Sequence, residues 1–174
     1  MGKFLKICLV LCVSMAVTAC GGWHLRGSGE GSAVGMKVFV KRAEAPTVGP
    51  ALIAELHNRG ATLVSSRGDA DAVITLVGEN YDRRILSVVP STGKVREIEL
   101  GLTTDFSIRG KNGELLVPRE TVAWQLDYVF DEGSVLGTTA QDSIIQRDLA
   151  AIAATAMVLR LQSVKISDSE QKSE

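Results

Sequence analysis

The residue whose surroundings most clearly prescribe a reaction is Cys20. It closes the tract Val17-Thr18-Ala19-Cys20 at the end of a short hydrophobic leader. A small residue before a cysteine at that point reads as a lipobox: the chain is cut before Cys20, and the thiol carries a lipid. Lys3 and Lys6 form a positive n-region. Ile7 to Val17 is almost unbroken apolar, about the length of a signal h-region and too short to span a bilayer as a lasting helix. The rival reading is a plain signal peptide with A-x-A-type cleavage and a free Cys20.

Other reactive groupings are few. The only histidines are His24 and His57. No HExxH, GxSxG, phosphate-binding loop or metal-ligand spacing occurs, so no catalytic residue, metal or cofactor is expected. Ser-His-Asp catalysis would need His57, which falls near the apolar stripe of a short helix. Glu97 and Glu99 share one face of a strand and could imitate paired carboxylates, but on a solvated hairpin they read as its wet side. Arg83, Arg84, Lys94 and Arg96 differ, because they come from two strands and should converge beside one turn, Pro90 to Gly93. They have two readings: edge protection and solubility, or a cationic tip for an anionic ligand such as a lipid phosphate.

The cut at Cys20 has consequences for the rest. Cys8 and Cys12 lie in the leader and are lost, and lipidation uses the remaining thiol, so no intramolecular disulfide is expected despite an oxidising compartment. Two or more acyl chains give stable anchoring, where one gives only marginal binding. After cleavage the second residue is Gly21 rather than Asp, which favours the outer membrane in a Gram-negative source. Loss of Lys3 and Lys6 takes the formal charge from −1 to −3. That excludes the basic footprint that nucleic acid requires. About 155 residues remain, one ordinary domain with interior enough to hold by its core alone.

The elements that must position these groups follow in order. Residues 20–35 form a Gly/Ser-rich flexible tether. Trp23 within it is either an amphipathic ring at the lipid interface or an anchor against a partner protein. Met36 to Arg42 reads as a strand. A helix follows with Pro50 at its first position, Leu52, Ile53 and Leu56 as its stripe, and Gly60 just past its end. Ala61 to Ser65 is a second short strand. Val73 to Val77 is apolar enough for a central strand, Gly78 marks a bulge, and Tyr81 to Val89 continues extended. Ile98 to Ile108 alternates cleanly, and Asn112-Gly113 signals a hairpin. Val122, Trp124, Leu126, Tyr128 and Phe130 share a face of the next strand, with Pro118 at its start. Thr139 and Asp142 read as a capping box for a long helix to about Leu161, with Ile145, Leu149, Ile152, Ala156 and Leu159 as its stripe. The polar tail, residues 165–174, is expected to fray.

This pattern predicts an α+β fold: a mixed, mainly antiparallel sheet of four to five strands with two helices on one face. Residues 36–164 make the domain, after a signal peptide at 1–19. The other sheet face, with Thr103, Asp105, Ser107, Thr121, Ala123, Gln125 and Asp127, is mostly polar, so water or a hydrated partner surface can cover it.

Two tracts carry a family resemblance. Cys20-Gly21-Gly22-Trp23-His24-Leu25-Arg26-Gly27 resembles the mature start of the lipopolysaccharide-assembly lipoprotein family LptE, with one extra Gly. Phe130-Asp131-Glu132, Val135-Leu136 and Gln141-Asp142-Ser143-Ile144-Ile145, opening an Ala-rich helix, resemble that family's last strand and helix. The likeness spans nearly the whole mature chain but is specific only at these two tracts. It implies a plug domain inside the outer-membrane β-barrel LptD, a role in that barrel's folding, and binding of lipopolysaccharide during its insertion into the outer leaflet. On that reading Trp23, Leu25 and Arg26 are expected to contact the partner, and Arg83, Arg84, Lys94 and Arg96 the lipopolysaccharide. Two other classes compete: a free-standing periplasmic lipid- or glycan-binding lipoprotein with no barrel partner, and a hydrolase using Glu97 and Glu99.

Overall fold

The alternating middle of the sequence becomes three long strands joined by two hairpins. In the computed structural model, which describes residues 33–130 and 135–171, β3 (Ala72–Val88), β4 (Val95–Gly110) and β5 (Leu115–Val129) form an antiparallel meander. β1 (Lys37–Ala43), α1 (Val48–Asn58) and β2 (Thr62–Leu63) precede it, and α2 (Val135–Gln171) follows. The sheet order is β2-β1-β3-β4-β5, with β1 parallel to both β2 and β3. The fold is therefore α+β with a mixed, mainly antiparallel five-stranded sheet, as the sequence predicts.

The core lies between one sheet face and the two helices. Val38, Ile74, Leu76, Leu100, Leu102, Phe106 and Ile108 are buried from the sheet, and Leu52, Leu56, Leu149, Met157 and Leu161 from the helices. Each such side chain contributes roughly 1.5–3 kcal/mol by leaving water. The strict alternation of β4 explains its place beside β3 and β5: from Ile98 on, its even-numbered residues reach the core, and its odd-numbered side chains the opposite face.

Gly78 makes the bulge that its position suggests. The register slips between Val77 and Glu79, and Gly78 has φ +72°, a conformation glycine enters without steric penalty. The slip turns Glu79 toward α1. Its carboxylate accepts the N–H of Thr47 (3.0 and 3.2 Å) and of Val48 (2.7 Å), so a strand caps this helix. The helix begins at Val48, two residues earlier than expected. Pro50 still lies in the first turn, where its missing N–H has no intrahelical partner to lose.

Three further expectations are corrected. Pro118 lies inside β5 rather than at its start, next to a register shift between Phe106 and Ile108 on the edge of the sheet, where a missing donor is tolerated. The helix α2 starts at Val135, so Thr139 is not its cap. Asp142 instead serves Tyr128 and Arg83, tertiary partners that displace the local cap. The helix also runs on to Gln171, beyond Leu161.

The stripe of α2 follows the expected spacing only through Ile145 and Leu149. It then continues through Ala153, Met157 and Leu161, flanked by Ala150, Ala154 and Val158. Ile152 and Ala156 are half-buried, and Leu159 is 51% exposed. Spacings of 4 and 3 keep a stripe straight, whereas repeated spacings of 4 rotate it by about 40° per step. The contact line thus winds around α2, which packs on α1 as well as on the sheet.

Candidate functional site

The cationic hairpin is held by the β3–β4 ladder. Val89 N–H donates to the Lys94 carbonyl (2.7 Å), and the turn closes with Gly93 N–H on the Val89 carbonyl (2.8 Å). Lys94 and Arg96 flank that turn, both exposed. Arg83 and Arg84 do not join them. About six residues of extended chain, on the order of 20 Å, separate Arg84 from Pro90.

Alternation also sends the two arginines to opposite faces. Arg84 lies across from Glu99, and its guanidinium donates to Glu99 Oε1 at 2.8 Å on the face away from the helices. Arg83 lies across from buried Leu100, on the helix-bearing face. Its Nε is 3.7 Å from Asp142 Oδ2, and its guanidinium sits 5.7 Å from the centre of the Phe130 ring. The Tyr128 hydroxyl donates to the same Asp142 carboxylate. Burial, and then the hydrogen bond to that anion, push the Tyr128 phenol above its ordinary range. The four cations therefore form a pair at the tip and two separately bridged arginines behind it. The expected convergence is corrected: a one-residue step along a strand is a change of face.

Glu97 and Glu99 do share the open face, and each has a partner. Glu97 Oε2 accepts from Ser87 Oγ at 2.6 Å, and Glu99 accepts from Arg84. His57 is exposed in the last turn of α1. No cluster of three or more metal-ligating side chains occurs among the described residues, and no helix there is long and apolar enough to cross a membrane. Cys20, Trp23, His24, Leu25 and Arg26 lie outside the described residues.

The polar face is as the alternation predicts. Thr103, Thr121, Ala123, Gln125 and Asp127 are exposed, and Asp105 and Ser107 half-buried. Asp105 accepts from Thr121 Oγ1 (2.7 Å) and from Arg119 (2.6 and 2.9 Å). The Thr121 hydroxyl, and after it the Arg119 guanidinium, hold this carboxyl below the usual carboxylate range. Sequence reasoning missed one feature on the helix-bearing side. Trp124, 45% exposed, borders an open apolar cleft of about 400 Å³ with Ala151, Ile152, Thr155, Ala156 and Leu159. The signal was present: a 4-3 stripe and a strand face both pointed inward, and together they held more apolar side chains than one core seam takes.

The fold and the sequence converge on one assignment. Residues 37–161, more than half of the chain, match the family model for LptE, described as lipopolysaccharide assembly. The chain belongs to the LptE family. No curated protein matches it. Among solved structures, it is similar to an uncharacterized lipoprotein B from Nitrosomonas europaea, with TM-score 0.67 and 21% identity over 86% of this chain and 96% of that one. It is also similar to the rare lipoprotein B from Shewanella oneidensis, at 0.62 and 18% over 78% and 98%. A third is a minor lipoprotein from Acinetobacter baumannii, at 0.60 and 22% over 76% and 94%. At these identities the likeness establishes the fold. LptE membership supports a role in lipopolysaccharide assembly, within a family of non-enzymatic lipoproteins associated with the outer membrane.

Proposed function

We propose that this chain is anchored in the outer membrane by acyl chains on Cys20, plugs an LptD-type β-barrel and helps it assemble, and binds lipopolysaccharide on its way to the outer leaflet. The family match over residues 37–161 carries this reading. The polar, helix-free sheet face supports it, being suited to a hydrated barrel lumen. So does the hairpin tip, where Lys94 and Arg96 present cations that lipid A phosphates would engage by charge-assisted hydrogen bonds. Arg83 and Arg84 are secondary contacts on this reading, since they lie behind the tip, bridged to Asp142 and Glu99. Trp23, Leu25 and Arg26 are assigned to the partner side, next to the anchor.

Co-purification decides between partnered and free-standing lipoprotein. Tagged chain extracted in detergent should bring down a large outer-membrane β-barrel in stoichiometric amount. Recovery of the chain alone would leave it a free-standing periplasmic binding lipoprotein. Cys20→Ala should abolish labelling by radioactive palmitate and leave an uncleaved or mislocalised precursor; label retained in that variant would sink the lipobox reading.

A further inference from the structure

The sheet ends at β5, and over half of that strand the edge is open. Phe130 N–H donates to the Arg96 carbonyl at 2.8 Å. In the constant register from Glu97–Val129 to Phe106–Glu120, this commits the even-numbered residues of β5 to β4. The N–H and C=O groups of Thr121, Ala123, Gln125 and Asp127 therefore point to the free edge. No other backbone or side-chain group among the described residues bonds to them there.

Edges are usually blocked by charge, proline or a covering element. Those devices occur here at the ends only. Pro118, Arg119 and Glu120 stand at one end, with Glu120 bridged to Arg160 at 2.8 Å, and Asp127 stands at the other. Thr121 to Leu126 carries neither charge nor proline. On the helix side of this same window lies the apolar cleft of Trp124, Ile152 and Leu159. On the other side Asp127 is exposed, has no cationic partner among the described residues, and faces Glu99 across the β4–β5 pair. Glu99 is bridged to Arg84, and Asp127, with no such bridge among the described residues, is left to pair with a cation from outside.

We propose that the Thr121–Asp127 edge of β5 accepts an extended segment of another protein as a sixth, antiparallel strand. The chemistry of the edge specifies that segment. Its backbone supplies the ladder, a bulky apolar side chain opposite Trp124 enters the cleft, and a lysine or arginine stands opposite Asp127. This is strand addition with one pocket and one charge for specificity. A second copy of this chain fits less well, because Arg119, the cation it would bring opposite Asp127 in a two-fold pairing centred on Ala123, is already held by Asp105. The surface is separate from the hairpin tip, so its failure leaves the lipopolysaccharide reading as it stands.

The test uses the full chain in detergent and a synthetic peptide of about seven residues, alternating threonine and valine, with leucine opposite Trp124 and lysine opposite Asp127. Binding should slow amide exchange at Thr121, Ala123, Gln125 and Asp127 while leaving their even-numbered neighbours unchanged. Methylating the peptide's ladder nitrogens should weaken binding about tenfold or more. A glutamate in place of the lysine should weaken it about fivefold, and Asp127→Lys should reverse that preference. Asp127→Asn, which keeps the shape, should bind both peptides alike. Unslowed amides, a methylated peptide that binds as well, or a preference unmoved in Asp127→Lys would each overturn the proposal. Protection of the same four amides without peptide, in a chain that sediments as a dimer, would overturn it in favour of a second copy.

Discussion

One strand, β3, runs through two different environments. From Ala72 to Leu76 it is buried or nearly so, paired on both edges by β1 and β4 and covered by helix. From Asp82 to Leu86 every residue is exposed, including Ile85 and Leu86. The change follows from lengths. Seventeen strand residues span on the order of 55 Å, while the eleven residues of α1 span about 16 Å. The short α1 and the seven-residue β1 cover only the first part, and the rest of β3 continues beside β4 and β5 as an arm without β1 on its other edge. The covered part specifies the fold, so its sequence is apolar and closely fitted. The arm is held by its ladder, by Ile98 and Leu100 buried on the helix side, and by a few polar ties to α2, and its exposed residues are free to carry charge.

The largest expected effect lies in the covered half. Leu149→Ala removes a fully buried side chain where α2 meets the sheet and should cost about 2–5 kcal/mol, whereas Ile85→Ala on the arm should cost less than about 0.5 kcal/mol. Denaturant melts of the two variants measure the contrast directly; a loss below about 1 kcal/mol for Leu149→Ala would erase it. Next is the boundary itself. Gly78→Ala places a side chain at φ +72° where no heavy atom lies within 4 Å, so its cost comes from the backbone alone, about 1–2 kcal/mol. A neutral result would mean that the bulge does not separate the two regions.

How far the sequence discloses each region follows from the same physics. The covered half is legible because burial imposes period and punctuation: the alternation of Ile98 to Ile108, the bulge at Gly78 and the Asn112-Gly113 hairpin all appear where the residues put them. The winding of the α2 stripe is not legible, because it depends on α1 lying beside the sheet, a tertiary fact with no local signature. The cationic cluster is misread for a different reason. Arg83 and Arg84 are neighbours in sequence, but they occupy opposite faces and meet different carboxylates, and proximity in sequence carries no information about which. The capping of α1 by Glu79, more than thirty residues downstream, is likewise invisible until the strand is in place.

A smaller effect is set by pH at the junction of the two regions. Tyr81 donates to the Gln146 carbonyl at 3.2 Å, and burial, then the nearby Glu79 carboxylate, push its phenol up to about 12. The unfolded phenol ionises near its ordinary value of 10. The folded state therefore holds the proton more tightly, so this contribution is complete below pH 10 and is lost as pH rises toward 12. The ring is partly exposed, which reduces the full linkage value to about 1 kcal/mol. Tyr81→Phe should flatten that part of the stability profile relative to the wild type. Parallel profiles over this window would show that the junction is wetter than its geometry implies.

The smallest expected effect on stability, and the one that bears most on function, belongs to the tip of the arm. Neutralising Lys94 and Arg96 together should barely move the melting temperature, because both are exposed and surface charges contribute little to folding. Lipopolysaccharide affinity should nevertheless fall, and its dependence on salt should become shallower, since fewer charge-assisted contacts remain for counterions to screen. Arg84→Gln makes the internal control: it removes one cation, behind the tip and bonded to Glu99, so it should weaken binding less than the loss of two at the tip. Binding isotherms over titrated salt, on variants with matched melting curves, rank the two. If the double variant keeps both its affinity and its salt slope, the cations at the tip revert to protecting the edge of the hairpin, and the ligand must be sought along the polar face between Thr103 and Asp127.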